Sequence, residues 1–244
     1  MSKVTAIILA AGQGIRMNSE VSKQFLMLEG KPVLFYALKA FEDSSVDEIV
    51  LVAGKGQIEY CKKNIVDFYQ IRKVARIVEG GEERFDSVQI GILAAESADY
   101  VLVHDGARPF VSKDLIENAI EQVKIVKACI VGVPVKDTIK VVDEEGFIRV
   151  TPDRNSLWAA QTPQNFEYNA IKNAYRMFFE DRNITGVSAT DDAMIYETYL
   201  KLPVKMIMGD YNNLKLTTPE DLLLAEEILK RILFEKNKKE EQFF

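Results

Sequence analysis

Short apolar runs recur along the chain, each closed by Gly, Pro or Asp, with amphipathic stretches between them. VTAIILAA (4–11), EIVLVAG (48–54), VARIVEGG (74–81), YVLVHDG (100–106), ACIVGVPV (128–135) and PVKMIMG (203–209) are rich in Val and Ile. Such runs predict strands buried on both faces. Leu34, Ala37, Leu38 and Phe41 repeat at helical spacing, as do Leu115, Ile116, Ala119, Ile120 and Val123 behind a capping Ser112. Thr218-Pro219-Glu220-Asp221 reads as a helix start, with proline in the first turn and acids facing the dipole. Leu222, Ala225, Leu229 and Leu233 form the apolar stripe of that last helix.

Strand and helix in alternation predict an α/β fold: a mostly parallel, Rossmann-like sheet with helices on both faces. One segment breaks the alternation. DTIKVVDEEGFIRVT (137–151) alternates with period two around an acidic, glycine-containing turn, which predicts a β-hairpin. It forms a protruding arm at about 136–158, inserted in a single domain spanning 1–244. A two-stranded hairpin is marginal alone, so it packs on a second subunit or folds back on its own body. AAQTPQ (159–164) reads equally well as a proline-stiffened turn.

Composition narrows the class of partner. The 244 residues carry 31 Lys and Arg against 37 Asp and Glu, a net charge of −6. That balance argues against a nucleic-acid binder, yet leaves room for a local basic cleft that takes a small phosphorylated substrate. Cys61 and Cys129 read as buried free thiols, and the single His104 removes any His-pair metal site. His104 points away from its neighbour Asp105 on a strand and reads as structural. No signal peptide or membrane-spanning stretch is seen, so the expectation is a cytoplasmic protein without a membrane partner.

Candidate chemistry gathers where strands end. After the first strand come Ala10, Ala11, Gly12 and Gly14, then Arg16 and Lys23. Small residues let backbone N–H groups approach a phosphate, and the two cations suit a polyphosphate. Two glycines alone suit any tight turn. This loop is neither a Walker A nor a dinucleotide fingerprint, because Met17 stands at the third glycine position. Asp105 closes YVLVHDG, where one carboxylate can hold Mg²⁺ with substrate phosphates or pair with Arg108. Gly80-Gly81 with Arg84 and Ser87 suits a base or ribose contact, or a plain turn. Thr138, Arg154 and Lys215 sit at loop positions that can face a second phosphate. Thr162 and Gln164 can donate to hydroxyls. No nucleophile stands beside a base, so the inventory is that of phosphoryl or nucleotidyl transfer, where positioning and charge do the catalysis.

LAAGQGIRM with KQFLMLEGKPVL, GGEERFDSV, VLVHDGARPFV, VPVKDTIKVVD, TPDRNSLWAAQTPQ, TDDA and NLKLTTPEDL together resemble one family. It is the 2-C-methyl-D-erythritol 4-phosphate cytidylyltransferases of the non-mevalonate isoprenoid pathway, over about residues 4–231. The resemblance implies a nucleotidyltransferase sheet and transfer of the cytidylyl group of CTP to methylerythritol 4-phosphate, with release of pyrophosphate. It implies in-line attack by the substrate phosphate on the α-phosphorus, and Mg²⁺ as cofactor. By the same resemblance Arg16, Lys23, Arg154 and Lys215 are catalytic. Ala10, Ala11, Gly12, Gly14, Gly81, Glu82 and Ser87 contact CTP. Asp105, Arg108, Thr138, Arg154, Thr162 and Lys215 hold the acceptor, and Asp105 is the metal ligand. The resemblance also implies a homodimer in which the arm, with Thr138 and Arg154, reaches the neighbouring site. Asn18 and Glu82 depart from the glycine and aspartate frequent in the family. Three other readings fit parts of the sequence: a ribitol 5-phosphate cytidylyltransferase, a nucleotide-sensing module without turnover, and a dinucleotide oxidoreductase.

Overall fold

The structure is a computed structural model and describes residues 2–12 and 22–241. The chain opens with β1 (Val4–Ala10), a ribbon of β2 (Met27–Leu28) and β3 (Lys31–Pro32), and α1 (Val33–Glu42). Next come β4 (Glu48–Ala53), α2 (Ile58–Cys61) running into a π-helical turn, β5 (Val74–Glu79) and α3 (Arg84–Ala94). Then follow β6 (Tyr100–Asp105), α4 (Lys113–Val126), β7 (Ala128–Pro134), and the arm strands β8 (Val141–Val142) and β9 (Ile148–Val150). The chain ends with β10 (Trp158–Glu167), α5 (Tyr168–Thr185), α6 (Asp192–Leu200), β11 (Lys205–Met208) and α7 (Pro219–Glu241).

Seven strands form the main sheet in the order β11-β7-β10-β6-β1-β4-β5. The β1/β4, β1/β6, β4/β5 and β7/β11 pairs are parallel, and β10 runs antiparallel to both β6 and β7. The apolar runs are continuous because each strand is covered twice. Ala6, Ile8 and Leu51 pack on one face with α1 and α4, while Ile7, Val50 and Val52 pack on the other with α3, α5 and α6. The α1 stripe behaves as its spacing predicts: Leu34, Ala37, Leu38 and Phe41 are wholly buried. Each full burial of a Leu or Phe side chain is worth roughly 1.5–3 kcal/mol. Ser112 caps α4 by accepting from the Leu115 N–H at 3.1 Å. In α7 the stripe is Ala225, Ile228 and Leu229. Leu233 does not continue it: it is exposed along with Ile232 and Phe234, beyond the last buried turn.

One expectation needs correction. Residues 159–164 are not merely a turn but the middle of β10, a strand in the interior of the sheet. Its register shifts between Ala160 and Gln164, around a cis Thr162–Pro163 bond. The arm is a hairpin as predicted, pairing Val141 with Val150 and Val142 with Ile148. Its apolar side chains Val141, Val142, Phe147, Ile148 and Val150 are all exposed within this chain. Among the described residues, no helix is long and apolar enough to cross a membrane. Strand order reverses at β1: the chain steps outward to β4 and β5 on one side, then crosses back to β6 on the other, so the carboxyl ends of β1 and β6 open a crevice suited to a ligand.

Candidate active site

Three adjoining cavities lie across those strand ends. The first, about 1080 Å³, is lined by Ala11, Gly12, Lys23, Gly80, Gly81 and Glu82 among others. The second, about 150 Å³, shares Gly12, Lys23 and Gly81 with it and adds Ser87, Asp105 and Lys215. The third, about 290 Å³, shares Asp105 and Lys215 and adds Arg108 and Thr162. The cleft therefore runs from a glycine-rich end to a cation-rich end, with Asp105 and Lys215 at the junction.

Local folding explains the glycine-rich end. The Gly81 N–H donates to Ser87 Oγ at 3.1 Å, which folds the turn against the first residues of α3. A methyl group on Gly80 would stand 2.6 Å from Ala11 Cβ and 2.7 Å from Ser87 Oγ, so no side chain fits there. Gln24 donates to the Ala10 carbonyl at 2.7 Å and pins the segment of Lys23 beside the end of β1.

Asp105 is the hub of the other end. Its Oδ2 lies 2.9 Å from Lys215 Nζ and 3.6 Å from Arg108 Nε, and its Oδ1 accepts from Arg84 Nε at 3.3 Å. Burial pushes this carboxyl up, but the charges of Arg84, Lys215 and Arg108 prevail and hold it well below the usual carboxylate range. Arg84, Arg108 and Lys215 thus face two carboxylates, Asp105 and the Asp192 that also holds Arg84, which leaves a single net positive charge for an anionic ligand. Burial alone pushes the Arg108 guanidinium down, and Asp105 offsets it only in part.

Arg84 lines the cleft with Gly81 and Ser87, and its guanidinium is engaged by carboxylates. Its Nη1 and Nη2 each donate to the buried Asp192 at 2.8 Å. Tyr175 donates its hydroxyl to the same carboxylate at 2.5 Å. Gln164 Oε1 accepts from the N–H groups of Asp192 and Ala193 at 3.1 and 3.0 Å, fixing the start of α6. Asp192, Tyr175 and Gln164 as a fixing group went unread in the sequence. The one available signal was the acid pair of TDDA, since Tyr175 looks like any core aromatic.

His104 faces Phe41 at 5.1 Å between ring centroids, on the sheet face opposite the cleft, as strand alternation requires. Burial pushes its imidazole down from 6.5 to about 4, against the pull of Asp105, so it is neutral at pH 7.

The structure gathers Ala11, Gly12, Lys23, Gly81, Glu82, Ser87, Asp105, Arg108, Thr162 and Lys215 in the cleft. Ala10 is buried at the end of β1 just behind it. Thr138 and Arg154 are exposed on the arm and line none of the three cavities. Arg154 donates to the Lys136 carbonyl at 3.2 Å, at the root of the arm. Gly14 and Arg16 lie outside the described residues.

A mostly parallel sheet with a glycine-rich, cation-flanked crevice at its switch point is a nucleotide-binding arrangement, and comparison with known proteins makes it that of a nucleotidyltransferase. Residues 4–231 match the family described as 2-C-methyl-D-erythritol 4-phosphate cytidylyltransferase, and the chain belongs to that family. It is 50% identical over 230 residues to the protein of that name from Lachnoclostridium phytofermentans, covering 94% of this chain and 97% of that one. It is 48% identical over 232 residues to the one from Alkaliphilus oremlandii, covering 94% and 96%. Among solved structures, 4-diphosphocytidyl-2C-methyl-D-erythritol synthase from Anaerococcus prevotii superposes with a TM-score of 0.82. That pair is 32% identical and covers 94% of this chain and 96% of the other.

Proposed function

We propose that the cleft carries out the family reaction with the residues it gathers. The reaction transfers the cytidylyl group of CTP to 2-C-methyl-D-erythritol 4-phosphate, giving 4-diphosphocytidyl-2-C-methyl-D-erythritol and pyrophosphate. The observation that carries the residue assignment is the shared junction, where Asp105 and Lys215 line both the nucleotide and acceptor sections.

CTP enters the glycine-rich end, its base and ribose against Gly81, Glu82 and Ser87 and its triphosphate along Ala11, Gly12 and Gly14. Arg16 and Lys23 neutralise the triphosphate. The acceptor phosphate lies beside Lys215 and Arg108 and attacks the α-phosphorus in line, while the bond to the pyrophosphate oxygen breaks. Charge that builds on the transferring group meets cations already held in place around Asp105. Asp105 holds the cations in register and accepts from acceptor hydroxyls.

Mg²⁺ is assigned to this site as a companion of the triphosphate. The donor set suits that arrangement: one carboxylate, Asp105, already engaged by three cations, offers at most a single oxygen. Mg²⁺ commonly uses one or two carboxylates together with phosphates and water. When bound, the ion supplies charge neutralisation on the leaving pyrophosphate.

We further assign Thr138 and Arg154 to a partner subunit's site. Two observations support a homodimer through the arm: its exposed apolar side chains, and that neither residue lines its own subunit's cleft. The protein is placed in the cytoplasm as one catalytic domain with the arm at about 136–158.

The test is pyrophosphate release with CTP and Mg²⁺, using either methylerythritol 4-phosphate or ribitol 5-phosphate, with Lys23→Ala as control. Turnover with the first acceptor and loss in the variant are expected. Faster turnover with ribitol 5-phosphate overturns the acceptor assignment, and CTP binding without turnover overturns the enzyme.

A further inference from the structure

Four side chains from three separate segments close a ring of hydrogen bonds beneath the acceptor end of the cleft. His104 Nε2 lies 3.2 Å from the Arg108 carbonyl. Arg108 Nη1 donates to the Asn213 carbonyl at 2.7 Å. Asn213 Nδ2 donates to the Thr162 carbonyl at 2.8 Å. Thr162 Oγ1 returns to His104 Nδ1 at 3.0 Å. All four residues are buried, His104 and Asn213 completely.

The chemistry of the partners fixes every proton. A carbonyl only accepts, so Nε2 of His104 carries its hydrogen. In the neutral ring Nδ1 then accepts, and the Thr162 hydroxyl donates to it. The hydroxyl oxygen is left to accept from the Asp105 N–H, which it does at 3.1 Å. The hydroxyl hydrogen is therefore committed inside the protein rather than offered to a substrate.

We propose that His104 is a positioning residue for cytidylyl transfer: its imidazole ties the Asp105–Arg108 turn to the strand that carries Thr162. The ring connects three elements that line the acceptor end of the cleft: β6 with its turn, β10, and the segment leading through Asn213 to Lys215. Without the imidazole, Thr162 and the Arg108 carbonyl lose their common partner, and the turn that carries Asp105 and Arg108 is tied to β10 only through Asn213 and the Asp105 N–H. The nucleotide end, formed by Gly81 and Ser87, shares no member of the ring. This inference rests on the assigned reaction, but its first test does not use activity.

That first test exploits the single histidine in the chain. In ¹⁵N-labelled wild-type protein at pH 7, the one imidazole is expected to show the Nε2–H tautomer. An Nδ1–H tautomer or a charged ring overturns the proposal. The second test is kinetic. His104→Phe keeps a ring against Phe41 but removes both bonds, and Thr162→Val removes the hydroxyl from the other side. Each is expected to lower kcat about 10- to 100-fold, the scale of a small misplacement of reacting groups. KM for the methylerythritol phosphate should rise while KM for CTP changes less than twofold. His104→Asn, which can accept at the Nδ1 position, should restore part of kcat. Wild-type kcat in folded Thr162→Val, or an equal rise in both KM values, overturns the proposal even if the phenylalanine variant fails to fold.

Discussion

Arg84 meets Asp192 fork to fork, both nitrogens at 2.8 Å, and turns its remaining Nε to Asp105. Asp192 is completely buried and also holds the Tyr175 hydroxyl. Asp192→Ala strands the phenol and leaves the guanidinium only its longer contact to Asp105. We expect a loss of about 3–5 kcal/mol in chemical denaturation, the usual cost of breaking a buried pair. Asp192→Asn keeps an acceptor for Tyr175 and should lose less.

The two lysines serve different ends of the cleft. Lys23 lines only the nucleotide sections, whereas Lys215 lines the junction and the acceptor section. Removing either should cut kcat by about 10²–10³-fold. Calorimetric titration with CTP and Mg²⁺ should separate them: Lys23→Ala weakens nucleotide binding markedly, and Lys215→Ala far less.

A methyl group at Gly80 collides with Ala11 and Ser87, both at the nucleotide end. Gly80→Ala should cost roughly 1–3 kcal/mol through overpacking. The damage should appear as a raised KM for CTP with little change in KM for the acceptor.

Acid should weaken the fold in two stages. The unfolded chain protonates its histidine below about pH 6.5, while burial delays this in the folded protein to about 4. The contribution of His104 to stability is therefore complete above about 6.5 and is lost as pH falls from 6.5 to 4, by roughly 3 kcal/mol. The Asp105 carboxyl, held well below its ordinary 3.8, adds a second loss that begins only below about pH 4. Thermal melts across this range should show both stages. A folded His104→Asn variant should lose the first and keep the second.

The arm assignment predicts complementation between dead chains. Lys23→Ala and Arg154→Ala homodimers should each be inactive. In a mixed dimer, one site takes its core from one chain and its arm from the other, and has neither lesion. Equal mixing after subunit exchange should restore about a quarter of wild-type activity. No recovery would return Arg154 to its own subunit's site.

The parallel core was legible because its strands are covered on both faces and so read as unbroken Val and Ile runs. The cleft lining at Ala11, Gly12 and Asp105 was legible because these residues close such runs. Strand β10 was not. Gln161, Thr162, Gln164 and Asn165 are buried in it, yet all are polar, and a proline within a run argues against an interior strand. Their burial is affordable only because each finds a partner on a distant segment: Asp210, His104, Asp191 or Cys129. No local pattern encodes partners tens of residues away. The same reason hid Asp192 and Tyr175.

Placing β10 between β6 and β7 also orders events during synthesis. The chain leaves the ribosome with β6 and β7 made, yet neither can complete its pairing, because the strand that separates them follows the whole arm. Until residues 158–167 emerge and slot in, two interior strand edges stand open. Open edges of apolar strands invite pairing with other chains. The nascent enzyme is thus most vulnerable to aggregation during the interval in which its arm is being made.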